Sequence, residues 1–251
     1  MSEIIPPQGA QAALRAVRLL KIFKSDRPEM TLSEISRAAK LNKTTTHRLL
    51  RALQSEGLID RNASSSSYSL GAGLMALGVQ ALASNDLRRR VRPILKTLAR
   101  ESGETATLEV PVENTMLIID EVAGNHVVGS AGNVGTRWPI HATSTGKVWL
   151  AFEKSGMERI KGPLLPLTSK TSMNKNKLII DLEEIRKRGY AVTVDEVEEG
   201  YTAVATIVRG VLGDVQAALS IGGPSQRLKP NRCAELGTIL RRASQTLNLG
   251  I

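Results

Sequence analysis

Cysteine, aromatic residues and long apolar runs are scarce in this chain. Of its 251 residues one is a cysteine, and Phe, Trp and Tyr together make up 3%. The single Cys233 excludes an intrachain disulfide and a structural zinc site of the thiolate type. The low aromatic content disfavours stacking on single-stranded bases. No apolar run reaches the roughly 18–20 residues that span a bilayer, and the first residues do not resemble a signal peptide, so we expect a cytoplasmic protein.

Positive charge is concentrated in the first third of the chain. The net charge is +10, from 34 Lys and Arg against 24 Asp and Glu. Residues 1–92 contain 15 basic and 7 acidic residues, a net charge of +8, which leaves +2 for residues 93–251. A basic front third joined to a nearly neutral remainder predicts that the front attracts a polyanion and that the rear has a different task.

Helix signals are dense in the basic part. Apolar residues recur at helical spacing over residues 11–24, and Thr31 and Glu34 form a capping-box pattern that opens a short second helix. Asn42 suits the N-cap of a third helix over residues 43–54. A short helix, a tight turn and a further helix are the sequence form of a helix-turn-helix.

The third helix has one apolar and one polar, basic face. The apolar face carries Thr46, Leu49, Leu50 and Leu53, and the opposite face carries Thr44, His47, Arg48 and Arg51. Two β-prone segments, 57–61 and 68–70, enclose a serine-rich tip and predict a wing beside the helix-turn-helix. A plain three-helix bundle with a solvated basic face is the alternative, which the charge asymmetry disfavours.

The rear of the chain alternates strand and helix signals. Residues 71–83 form an apolar helix between the halves, and residues 87–101 a basic amphipathic helix in which Pro93 is expected near a helix start or a kink. Gly213 and Asp214 suit a two-residue hairpin between Val211 and Val215. Strands are predicted at 105–110, 116–122, 127–130, 190–194, 203–208 and 215–221, and helices at 142–152, 178–188 and 231–247. This pattern favours an α+β domain on a largely antiparallel sheet.

Catalytic and metal-binding motifs are mostly excluded. Residues 144–147 lack the preceding glycine and the following Ser or Thr of a P-loop. His47, His126 and His141 do not have metal-ligand spacing, so we predict no metal and no cofactor. Asp195, Glu196, Glu198 and Glu199 could do acid–base work, but a solvated turn between strands is the favoured interpretation.

Several segments, in this order and spacing, resemble the IclR family of bacterial transcriptional regulators. The resemblance covers residues 14–247 and rests on residues 15–20, 32–35, 43–50, 53, 57–58, 68–71, 135–143, 146–147, 189–191 and 196–200. It implies a winged helix-turn-helix at 10–72, a linker helix used in dimerisation at 73–86 and a GAF-like effector-binding domain at 87–251. It also implies a homodimer or homotetramer that binds a palindromic double-stranded operator, is no enzyme, and regulates a catabolic operon.

The resemblance and the basic helix face together predict the DNA-binding residues. These are Ser33, Lys43, Thr44, Thr45, His47, Arg48 and Arg61. Arg48 is the best candidate for guanine, because its planar fork can pair with O6 and N7. Arg61, on the wing, is expected to touch the DNA backbone or the minor groove.

The effector, by resemblance a small organic acid or an aromatic compound, is expected at six residues. Ser220 matches a serine of the family that commonly contacts the effector carboxylate, and the others depart from the family pattern: Ser144, Thr145, Thr193, Ala203 and Gly222. Thr193 and Ala203 stand where many members have Asp and Cys, and Gly222 stands where a second serine is common beside Ser220. Ser144 and Thr145 replace the frequent Gly or Ala, and Ile207 replaces a common proline. We therefore predict a neutral floor of hydroxyl groups, in which backbone N–H groups could bind an anion, although not in the usual manner for glyoxylate or pyruvate.

Two further hypotheses stay open at this point. The rear domain could be an enzyme that the basic front anchors to DNA, although only the acidic cluster at 195–199 favours this. The chain could also be an architectural DNA-binding protein whose altered pocket no longer takes a ligand.

Overall fold

The chain folds into two compact units that divide after Ser84. The computed structural model describes residue 7 and residues 9–24, 26–126, 132–160, 162–210 and 212–248. The division falls within the stretch 73–86 for which the sequence predicts a linker helix.

The first unit is a small helical domain with a three-stranded sheet. Its elements are α1 (Gln11–Leu20), β1 (Glu29–Thr31), α2 (Leu32–Ala39), α3 (Lys43–Ser55), β2 (Ile59–Arg61), β3 (Ser67–Leu70) and α4 (Ala72–Ser84). The antiparallel strands lie in the order β1-β3-β2. Leu19, Ile35, Leu50 and Ile59 are completely buried at its centre.

The predicted helix-turn-helix and wing are present, with two differences from the expected elements. The first helix ends at Leu20 instead of continuing to residue 24. The wing has a third strand, β1, because residues 29–31 pair with residues 67–69 of β3. Thr31 therefore ends a strand and also caps α2, where its hydroxyl accepts the Glu34 N–H and the Glu34 carboxylate accepts the Thr31 N–H.

The second unit is an α+β domain built on a six-stranded sheet. Its elements are α5 (Asp86–Ser102), β4 (Thr105–Val112), β5 (Thr115–Val122), β6 (Arg137–Pro139), α6 (Ser144–Phe152), α7 (Lys175–Arg188), β7 (Ala191–Val194), β8 (Tyr201–Arg209), β9 (Val215–Pro224) and α8 (Pro230–Asn248). The strand order is β6-β5-β4-β9-β8-β7, and every pairing between described strands is antiparallel. The predicted α+β class and antiparallel sheet are confirmed.

Helices cover both faces of this sheet. α5 and α8 pack against β4, β5 and β8, whereas α6 contacts β7, β8, β9 and α7. Trp149, Leu150 and Leu182 form a core with Ala205 of β8 and Ala218 of β9 on the α6 face. Side chains alternate between the two faces along each strand, and helices cover both faces. Polar residues of the strands are therefore buried as well as apolar ones.

Four points of the sequence analysis differ from the structure or lie outside the described residues. Pro93 is the eighth residue of the 17-residue α5, so it does not lie near a helix start, the first of the two places expected for it. The short edge strand β6 was not predicted. The strand predicted at 127–130 and Val211 of the predicted hairpin lie outside the described residues.

Candidate functional site

The local sequence of α3 decides which of its faces is free. The Asn42 side chain accepts the Thr45 N–H at 2.7 Å and so caps the first turn. Thr46 turns inward, where its hydroxyl donates to the Asn42 carbonyl at 2.9 Å. With Leu49, Leu50 and Leu53 buried, the polar face points to solvent.

Most residues predicted to bind DNA lie on this free face. Lys43, Thr44 and Arg48 are exposed on α3, and Thr45 and His47 are half-buried there. Ser33 is exposed at the second position of α2, and Arg61 is exposed at the end of β2.

A concave surface lies between α3 and the wing. It encloses about 730 Å³, its open mouth included, and is lined by His47, Arg51, Gln54, Ser55, Arg61 and Tyr68. The guanidinium carbon of Arg61 lies 5.9 Å from the centre of the Tyr68 ring, so the ring supports the arginine. Arg51 and Gln54 were missing from the predicted site, although the spacing of Arg51 from His47 placed it on the same helix face.

The second unit contains a small cavity beneath the start of α6. Its empty volume is about 400 Å³, with its opening included. Five of the six predicted effector residues line it: Ser144, Thr145, Thr193, Ala203 and Ser220. The lining residues that the prediction missed are Thr107, Glu109, Ile118, Gly132, Trp138, Thr143, Val197 and Tyr201.

Two glycines explain how this cavity is shaped. A Cβ atom on Gly146 would lie 1.9 Å from the Ile140 carbonyl oxygen, so only glycine lets the first turn of α6 pack this closely. A Cβ atom on Gly222 would lie 2.0 Å from the Tyr201 hydroxyl oxygen. Gly222 is not among the lining residues; Tyr201 fills the space that a serine side chain would occupy there.

Glu109 is the chemically distinctive group of the cavity. It lies on β4, is buried, and accepts hydrogen bonds from the Thr107 hydroxyl at 2.9 Å and the Thr145 hydroxyl at 2.7 Å. The Thr107 oxygen is also 2.7 Å from the Ser220 oxygen. One network therefore joins β4, β9 and the first turn of α6.

The predicted floor of hydroxyl groups is present but incomplete, because an acid, Glu109, lies at the centre of this network. Burial raises the pKa of Glu109, and the hydrogen bonds from Thr145 and Thr107 offset only part of that effect. No Lys, Arg or His is among the described residues that line the cavity. A buried carboxyl without a cation favours its protonated form.

Glu109→Gln is expected to gain thermal stability relative to the wild-type chain as pH rises. The folded wild-type chain keeps a proton on Glu109 that the unfolded chain loses near its ordinary pKa of about 4.3. Its stability therefore falls between the unfolded and the raised folded pKa, whereas glutamine has no proton to lose. Melting temperatures of both proteins from pH 4 to pH 8 measure this, and a difference that does not change with pH would contradict it.

The acidic cluster is a turn between β7 and β8, but it is not uniformly solvated. Glu196 pairs with the buried Lys147 of α6, with 2.5 Å between Nζ and Oε1. Asp195 accepts the Gly200 N–H and the Ser225 hydroxyl, both at 2.9 Å. These carboxylates therefore hold the turn in place.

His141 and Cys233, the remaining candidates for chemistry, are both buried in the protein. His141 is buried with a ring nitrogen 3.0 Å from the Leu165 carbonyl oxygen, and burial lowers its pKa. Cys233 is buried in α8, and burial raises the pKa of its thiol. Within the described ranges, no three His, Cys, Asp or Glu side chains are grouped so that they could hold a metal ion, and no helix is long and apolar enough to cross a membrane.

Comparisons with known proteins match both units. The IclR helix-turn-helix domain matches residues 12–63, and the C-terminal domain of the bacterial transcriptional regulator IclR matches residues 79–249. The chain is 30% identical to the transcriptional repressor IclR of Escherichia coli over 245 residues, 95% of this chain and 89% of that one. It is 31% identical, over the same shares, to the acetate operon repressor of Salmonella typhimurium.

Solved structures show the same architecture. An IclR transcriptional regulator from Alicyclobacillus acidocaldarius superposes with a TM-score of 0.80 at 25% identity, covering 95% of this chain and 98% of that one. An IclR homologue from Microbacterium hydrocarbonoxydans, solved in complex with 4-hydroxybenzoate, has a TM-score of 0.74 at 28% identity with the same coverage. With a helix-turn-helix domain for DNA and a C-terminal domain for a small-molecule effector, the chain belongs to the IclR family of bacterial transcriptional regulators.

Proposed function

We propose that this chain represses a catabolic operon by binding a two-fold symmetric operator as a homodimer or homotetramer. The observation that carries the proposal is the exposed basic face of α3 beside the exposed Arg61 of the wing. In this assignment, Lys43, Thr44, Thr45, His47 and Arg48 enter the major groove, and Ser33 and Arg61 contact the backbone or the minor groove. The relatives that are named repressors support the direction of regulation.

Residues 10–72 form the DNA-binding domain and residues 87–251 the effector domain in this proposal. The cavity lined by Ser144, Thr145, Thr193, Ala203 and Ser220 takes the effector. Trp138 and Tyr201 in its lining favour the aromatic class of the two expected effector classes. A coupling of about 1–3 kcal/mol between effector and operator binding is enough for regulation.

Footprinting on DNA from around the gene itself tests the operator assignment. The purified chain is incubated with this DNA at physiological salt with excess nonspecific competitor. A protected two-fold symmetric site is expected. Protection that vanishes under competitor would leave only the electrostatic attraction of any basic domain and would contradict sequence-specific binding to this DNA.

The linker helix, residues 73–86 in the prediction, is proposed to join two copies of the chain. Met75 and Val79, one helical turn apart on α4, are 68% and 67% exposed. Apolar side chains at this spacing on an exposed helix suit the seam between two helices.

Replacing this pair by serine is expected to shift the chain toward the monomer. Met75→Ser with Val79→Ser removes apolar surface that association would bury. Molar mass measured by light scattering over a dilution series reads the change. Leu212→Ser, at a residue 95% exposed in the second unit, is the control and should keep the wild-type mass. An unchanged mass for the paired variant would contradict this role of α4.

A further inference from the structure

We propose that Glu109 determines which effectors the cavity accepts: it selects an uncharged ligand with hydroxyl or amide N–H donors and disfavours a ligand that places a carboxylate there. This inference rests on the proposed function of the cavity as the effector site. It makes Glu109 a specificity-determining residue.

The carboxyl group of Glu109 lies at the start of α6, a place that would also suit the carboxylate of a ligand. Its oxygen Oε2 accepts from the hydroxyl of Thr145, the second residue of α6. The N-terminus of a helix attracts negative charge, because its first N–H groups lack partners within the helix. The carboxyl of Glu109 is therefore already at this end of α6, and a second carboxyl group would have to share it.

The described surroundings of Glu109 supply no positive charge for two carboxylates. The described residues that line the cavity include Ile118 from β5, Ser220 from β9 and Tyr201 from β8, and among all of them Tyr201 is the other titratable one. Lys147, the charged residue of α6, is paired with Glu196.

The acidic residues of the neighbouring strand β5 face elsewhere. Asp120 pairs with Arg88 and Arg92 of α5, and Glu121 does not line the cavity. Two adjacent carboxylates without a cation cannot both ionise at low cost.

Whether Glu109 carries its proton determines whether the cavity can bind a carboxylate as well as an uncharged analogue. A hydroxyl or amide N–H can donate to Glu109 in either protonation state, whereas a carboxylate needs Glu109 to hold its proton. Since burial raises the pKa of Glu109, that proton is present at low pH and is lost as pH rises. Affinity for a carboxylate should then fall by up to about tenfold per pH unit above that pKa, and affinity for an amide should not.

His141 is the nearby group that could add its own pH dependence. It is buried before α6, and the charges of Lys147 and Glu196 act on it. Glu109→Gln separates the two effects, because a dependence that comes from His141 persists in this variant and one that comes from Glu109 disappears.

Matched pairs of an acid and its amide test the proposal. Titration calorimetry on the full chain compares 4-hydroxybenzoate with 4-hydroxybenzamide, and pyruvate with pyruvamide, at pH 6 and pH 8.5. For the pair that fits, the wild-type chain is expected to bind the amide more tightly than the acid at pH 8.5, and the ratio of the two affinities is expected to grow from pH 6 to pH 8.5 by up to about tenfold per pH unit. Glu109→Gln is expected to lose this preference and its dependence on pH.

Glu121→Gln is the control. It makes the same change at a partly buried glutamate of β5 whose pKa burial also raises, but which does not line the cavity. This variant should keep the wild-type preference. An acid that binds the wild-type chain as tightly as its amide at pH 8.5, or a preference that survives in Glu109→Gln, would overturn the role of Glu109 and leave the effector site standing. Failure of every compound to bind either protein would overturn the effector site itself, and this inference with it.

Discussion

Lys147→Met is expected to lower the free energy of unfolding of the second unit by about 3–5 kcal/mol. The Lys147 side chain is 4% exposed, and its ammonium lies 2.5 Å from Glu196 and 3.9 Å from Asp181. Removing the ammonium leaves Glu196, which is 12% exposed, without its partner in a poorly hydrated place. An unpaired buried charge costs far more than the pair itself contributes.

Urea unfolding followed by tryptophan fluorescence measures this effect. Both tryptophans, Trp138 and Trp149, belong to the second unit, so the signal reports on that unit. Lys187→Met is the matched control, because the Lys187–Glu184 pair is exposed and its loss should change stability little.

A double variant tests whether the unpaired charge of Glu196 causes the loss of stability. Adding Glu196→Gln to Lys147→Met removes the unpaired charge and should restore a large part of the stability. A Lys147→Met variant no less stable than Lys187→Met would show that the buried pair does not hold the turn at residues 195–200.

Arg48→Ala is expected to weaken operator binding by about 1–3 kcal/mol, roughly 5- to 150-fold, and to relax the base preference at one position of each half-site. Arg48 is exposed on α3, the helix that a helix-turn-helix places in the major groove. The loss should be larger on the operator than on a scrambled duplex, because the guanine contact exists only on the operator.

Arg61→Ala supplies the comparison. Arg61 lies on the wing against Tyr68, where it is proposed to meet the DNA backbone or the minor groove. Its loss should weaken operator and scrambled duplex by the same factor and make binding less salt-dependent. Fluorescence anisotropy at fixed salt measures both variants on both duplexes. Equal losses on the two duplexes for Arg48→Ala would contradict the assignment of Arg48 to a base.

The helix-turn-helix could be predicted because its signals are local. The capping box of Thr31 and Glu34, and the N-cap Asn42, are hydrogen bonds between residues three apart, so the sequence order alone brings the groups together. The short strands β1 and β6 have no such signal. Each is three residues long and exists because a distant segment pairs with it.

Glu109 shows why the cavity could be predicted only in part. It alternates with Leu108 and Val110 in a predicted strand, and such a pattern normally places the polar side chain in water. Here α6 covers that face of the sheet, so Glu109 and Thr107 are buried together beneath it. The resemblance identified five of the lining positions, but Glu109 is not in any of the segments on which it rests.

The sequence by itself determined the two-part organisation, the helix-turn-helix with its basic face and the α+β class of the rear domain. These follow from charge counts, helical periodicity and capping residues, which act over a few neighbouring positions. The tertiary structure alone decided the strand order, the buried pair of Lys147 and Glu196, the place of Tyr201 beside Gly222 and the acid within the cavity. Each of these joins residues far apart in the chain, and burial, which sets their charge and their chemistry, exists only when the whole sheet and its helices have assembled.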